Sequence, residues 1–118
     1  MFRRALSAFV LSCLSGLMMA APVINEVVSS NSATIADENG DFSDWIEIHN
    51  PDETAVDLTG WGLTDSPGNP YKWVFPSLTL EPGAYLVVWA SSKNRAGANG
   101  HLHTNFAISA DGESVKLT

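Results

Sequence analysis

The densest run of ligating side chains is Asp37-Glu38-Asn39-Gly40-Asp41, with Asp44 and Glu47 close behind. Oxygen ligands at alternate positions around a glycine turn suit a hard cation, because Ca2+ takes roughly six to eight oxygens in a flexible loop. Asp37, Asn39, Asp41 and Asp44 are therefore the candidate calcium ligands. The spacing departs from an EF-hand loop, since Gly40 stands ahead of Asp41 and position 48, the twelfth from Asp37, is isoleucine. A solvated acidic hairpin that needs no metal is the competing reading. His101 and His103 would face one way in an extended chain, as a zinc pair does, but no third ligand is evident nearby and they read as exposed loop histidines.

Catalytic patterns are harder to find. Asp44 and Glu47 would lie on opposite faces of one strand, so they do not form an acid and base pair across a cleft. No serine stands in a G-x-S-x-G turn, and there is no H-E-x-x-H motif or phosphate-cradling glycine loop. The expectation is a non-enzyme with no cofactor beyond the possible calcium. Four tryptophans raise a different chemistry, stacking on a ligand. Trp45 and Trp73 sit among alternating apolar residues and read as core. Trp89 reads as a partly exposed contact, with Lys93 and Arg95 in the polar loop that follows completing a candidate ligand-contact set.

The frame for these side chains is set by length and charge. The chain has 118 residues, one cysteine and a formal charge of -7, enough for one domain and too short for a multi-domain enzyme. With 13 carboxylates against 6 Lys and Arg, nucleic acid is not expected as the main partner. Residues 1–20 read as a secretory signal peptide: Arg3 and Arg4 precede an uncharged apolar stretch, and cleavage after Ala20 leaves small residues beside the scissile bond. The stretch falls short of the roughly 20 apolar residues of a membrane span, so no stable span is expected after cleavage. Cys13 lies inside it and reads as a small apolar residue, although the residues before it loosely resemble a lipoprotein box. Removing residues 1–20 takes away two arginines and no carboxylate, so -7 becomes -9. The expected location is secreted or cell surface.

In residues 21–118 no window carries apolar residues at helical spacing, whereas short β-rich runs recur between Gly, Pro, Asn and Asp clusters. Strands are expected over 23–28, 44–49, 55–58, 61–63, 72–75, 84–90, 105–108 and 114–117. In 84–90 both parities are apolar, the mark of a central or doubly covered strand. The reading is all-β, an antiparallel sandwich of immunoglobulin type.

Several motifs then fall in one register: Val23-Ile24-Asn25-Glu26-Val27, Asp44-Trp45-Ile46-Glu47-Ile48-His49-Asn50, Val56-Asp57-Leu58-Thr59-Gly60-Trp61-Gly62-Leu63-Thr64-Asp65 and Lys72-Trp73-Val74-Phe75-Pro76. Together with Leu102-His103-Thr104-Asn105-Phe106-Ala107-Ile108-Ser109 and Gly112-Glu113-Ser114-Val115-Lys116-Leu117, they resemble the lamin tail domain in its secreted bacterial form. The resemblance implies an immunoglobulin-like β-sandwich that acts as a binding or spacer module on a protein or a cell-surface polymer. It also leaves open an amino-terminal fragment of a larger secreted enzyme or adhesin, with the activity in downstream domains. The family normally continues for one or two strands past the last motif, so the resemblance implies missing closing strands and self-association through an open sheet edge.

Overall fold

The computed structural model describes residues 21–31, 34–97, 100–110 and 114–118; the expected signal peptide, residues 1–20 with Cys13, lies outside them. Among the described residues there is no helix, and ten strands form three sheets. In chain order they are β1 (Val23–Val28), β2 (Asp44–His49), β3 (Val56–Asp57), β4 (Gly62–Thr64), β5 (Trp73–Val74), β6 (Thr79–Leu80), β7 (Tyr85–Ala90), β8 (Arg95–Ala96), β9 (Leu102–His103) and β10 (Lys116–Leu117). The large sheet has the order β1-β2-β7-β9-β8, so β7 is central, as its two apolar faces require. A three-stranded sheet, β10-β4-β5, and a two-stranded one, β3-β6, make up the opposing layer.

Alternation decides which side chains meet between the layers. Ile46 and Ile48 of β2, Val88 and Ala90 of β7 and Leu102 of β9 face Val56, Leu58, Leu63, Trp73, Phe75 and Leu80 in one buried cluster. Each such aliphatic chain contributes about 1.5–3 kcal/mol by leaving water. Trp73 and Phe75 meet edge-on, centroids 5.0 Å apart at 71°, so Trp73 is core as expected. The turn after β2 is tied to the turn before β7 by fully buried Asn50, whose Nδ2 donates to the carbonyls of Thr54 at 2.9 Å and Leu80 at 3.1 Å.

Pairing is antiparallel except at one place. β9 runs parallel to β7, with Leu102 opposite Val88 and His103 opposite Trp89. This strand lies outside the expected set, and the expected strand at 105–108 is absent. Phe106 and Ile108 are still buried on one side, so the alternation there is real, but side chains and the 92–94 turn, not a paired strand, take the backbone bonding. The Ile108 N–H donates to Asp44 Oδ2 at 3.2 Å, and the Thr104 hydroxyl donates to the Phe106 carbonyl at 2.9 Å.

Candidate functional site

The side chains singled out for chemistry gather on the outer face of the large sheet, opposite the core. Trp45 of β2 pairs with Trp89 of β7, and Trp89 with His103 of β9, so all three stand in one row on one face. By alternation this row should meet water. It does not: Trp45 is 6% exposed, Trp89 7% and His103 0%. The partly exposed Trp89 expected from sequence is thus corrected: its ring stacks on that of His103, centroids 6.4 Å apart, and His103 in turn meets the segment between β1 and β2. Glu38 of that segment reaches His103, bringing the acidic run down over the row.

The bonding shows how the cover is held. Lys93 Nζ donates to Asp37 Oδ2 at 2.6 Å, Asp41 Oδ2 at 2.8 Å and Asn39 Oδ1 at 3.1 Å. Arg95 Nη1 donates to Asn39 Oδ1 at 2.7 Å and Glu38 Oε2 at 3.2 Å. Three of the four oxygen ligands considered for calcium therefore converge on one ammonium group. Asp44 does not join them, because its carboxylate accepts from Ile108 instead. The Asp37 side chain is fully buried, so this part of the acidic run is not the solvated hairpin considered from sequence.

Local backbone geometry aims Lys93 at its partners. Ser92 and Asn94 on either side have φ of 64° and 52°, the left-handed region that side chains other than glycine and asparagine avoid. Such residues cost of order 1 kcal/mol or more and persist only where the surroundings fix them. Here the Ser92 N–H donates to the Phe106 carbonyl at 3.2 Å and the Asn94 N–H to the Thr104 carbonyl at 3.0 Å.

Electrostatics follow from this packing. Burial by itself raises the Asp37 carboxyl, but the Lys93 hydrogen bond and the N–H groups of Asp41 and Asn39 outweigh it and hold the group at about 2. Lys93 is raised in turn, chiefly by its hydrogen bonds to Asp37 and Asp41. For Glu38, burial again pushes upward, and the bond from His103 leads the effects that bring it down overall. His103 is the residue sequence reasoning placed wrongly, as an exposed loop histidine. Its Nε2 lies 2.8 and 2.9 Å from the Glu38 oxygens and its Nδ1 2.8 Å from Ser91 Oγ. An ionised carboxylate only accepts, so Nε2 carries a proton toward Glu38, while Nδ1 and the Ser91 hydroxyl share a hydrogen bond on the other side of the ring.

Serine, imidazole and carboxylate in series repeat the order of a hydrolytic relay. Ser91 Oγ, however, also accepts the Lys93 N–H at 3.2 Å, closing the turn that carries Lys93. The series is part of the clamp. Asp37, Glu38 and His103 also bring metal-ligating atoms within 4.8 Å of one another, but Lys93 and Ser91 already bond two of the three. His101 Nδ1 stays 3.9 Å from Glu38 at a half-exposed position.

The other half of the same face is open. Val23, His49 and Tyr85 form a cross-strand row at the opposite end of β7. Tyr85 is 57% exposed and stacks on His49, centroids 4.0 Å apart and planes at 11°. His49 Nδ1 donates to the Ala84 carbonyl at 3.2 Å, which fixes the ring. Between the covered and open rows, Glu26 stands directly opposite Glu47, whose Oε1 accepts from Asn25 Nδ2 at 2.8 Å.

No curated protein and no solved structure matches the chain. The sequence model of the lamin tail domain matches residues 20–118. With the motifs of β1, β2, β4 and β5 in place on an all-β sandwich, the chain belongs to the lamin tail domain family.

Proposed function

We propose that this protein is an exported, non-catalytic binding module of lamin tail type, acting at the cell surface or outside the cell on a protein or surface polymer. The observation that carries the binding reading is the open row Val23, His49 and Tyr85, an apolar and aromatic strip on a rigid sheet face. Exposed aromatic area beside a fixed ring costs little conformational entropy when a partner covers it.

Export rests on the pattern of residues 1–20 and gains support from the start of the fold. The Ala21 backbone nitrogen donates to Asp52 Oδ2 at 2.8 Å. Cleavage after Ala20 would turn that amide into an ammonium group facing a carboxylate, a charge-assisted version of the same bond.

Two measurements test the reading. Fractionation of the producing cells followed by amino-terminal sequencing should find a chain that begins at Ala21 outside the cytoplasm; an unprocessed cytoplasmic chain refutes export. Washed cells should retain added protein, and Tyr85→Ala should reduce retention several-fold with the near-ultraviolet spectrum of the tryptophans unchanged. Equal retention of the two proteins refutes binding through this row.

A further inference from the structure

We infer that the open half of the outer face takes an extended polypeptide segment bearing lysine or arginine. This rests on the binding reading above and adds the chemistry of the ligand. Three features of the face point to a cation.

First, Glu26 and Glu47 stand opposite each other across β1 and β2, where like charges repel at short range. None of the three strands that make this surface, β1, β2 and β7, contains a lysine or arginine to offset them. Among the described residues the other cations lie off these three strands. Lys72 pairs with Asp65 at 2.8 Å, and Lys93 and Arg95 hold the acidic run over the other half. Lys116 lines the groove between β1 and β10 together with Pro22 and Val23, at the edge of the sheet.

Second, the acidic pair adjoins an aromatic row. Glu47 and His49 lie two residues apart on β2, as Val87 and Tyr85 do on β7, which puts the rows about 7 Å apart. That is also the distance between alternate side chains of an extended peptide. A cationic side chain between Glu26 and Glu47 would therefore be followed, two residues on, by one against His49 and Tyr85.

Third, carboxylates continue around the open end. Asp52 and Glu53 lie in the turn after β2 and Glu81 in the turn before β7, and Asn50 ties these two turns together. With Ala21 already bonded to Asp52, Glu53 and Glu81 are the carboxylates that this end adds to attract a basic segment and repel an acidic polymer.

The test is a titration of the 15N-labelled protein with three probes: the capped octapeptide with the repeat Ser-Lys-Ser-Leu, the same peptide with glutamate for lysine, and cellohexaose. The lysine peptide should shift the amide signals of Val23, Glu26, Glu47, His49, Tyr85 and Val87. Glu26→Gln and Glu47→Gln should each weaken it about two- to five-fold, and raising the salt from low to high should weaken it further. Equal shifts from the glutamate peptide, or shifts from cellohexaose alone, overturn the cationic ligand and leave the binding face standing. No shift at these residues from any probe at millimolar concentration overturns the face as well.

Discussion

On one face of one sheet, Trp45, Trp89 and His103 are sealed from water while Val23, His49 and Tyr85, four residues further along β7, lie open. Strand composition does not separate the rows, since each holds aromatic rings and an imidazole. What separates them is a cation at the end of β7. Lys93 collects Asp37, Asn39 and Asp41, Arg95 adds Glu38 and Asn39, and His103 receives Glu38, so the segment between β1 and β2 is drawn over the near row and stops short of the far one. The buried row is thus the one whose end is tied by charged contacts to a loop distant in sequence.

The largest expected effect tests that division directly. Trp89→Ala should cost about 3–5 kcal/mol in urea unfolding, the range for deleting a buried aromatic. Tyr85→Ala, its counterpart in the open row, should cost less than about 1 kcal/mol. Similar losses at the two sites would break the comparison, because the rows would then be equally packed.

The next effect addresses the clamp. Lys93→Met keeps the length of the side chain and leaves the buried Asp37 carboxylate without its cation, a loss of about 2–3 kcal/mol. The pH dependence has a definite sign. Folded Asp37 titrates at about 2, below its ordinary 3.8, so its contribution is fully present above about pH 4 and is lost as the pH falls toward 2. With the partial exposure of Lys93, that contribution is roughly 1–2 kcal/mol. Lys93→Met removes the main lowering influence and leaves burial, so its acid unfolding should begin at higher pH than that of the parent. Coincident acid limbs in the two proteins would show that Asp37 and Lys93 are not coupled as described.

Much of the frame is legible in the sequence. The six-residue runs of β1 and β2 are read to the residue because their motifs and alternation agree, and β7 begins one residue later than expected. Two-residue strands such as β8 and β9 carry too few positions to show a period. The 105–108 run shows a period without pairing, because Asp44 and Thr104 satisfy backbone groups that a neighbouring strand would otherwise serve.

The site was legible in its parts and not in their assembly. Asp37, Asn39 and Asp41 are recognisable as convergent oxygens, and Lys93 and Arg95 as the concentrated basic charge, but each group invites an external ligand when read alone. The usable signal was complementarity, an acidic run and a two-cation loop in a chain with few other cations. His103 falls within a family motif, but its burial carried no such signal, since it depends on a parallel strand too short to see and on the bond to Glu38.

The smallest expected effect separates burial from charge within the clamp. Arg95 and Lys93 carry the same charge, stand two residues apart and bond the same acidic segment, yet the Arg95 side chain is 47% exposed and that of Lys93 21%. Water and salt screen the Arg95 pair, and its long side chain loses freedom in making it, so Arg95→Gln should lower Tm by no more than about 2–3 °C. That small loss should disappear at high salt, whereas most of the Lys93→Met loss should remain, because the buried Asp37 carboxylate is only weakly screened. Should Arg95→Gln match Lys93→Met in size and salt dependence, total charge in the loop rather than the buried Asp37 contact would be what holds the cover over Trp89.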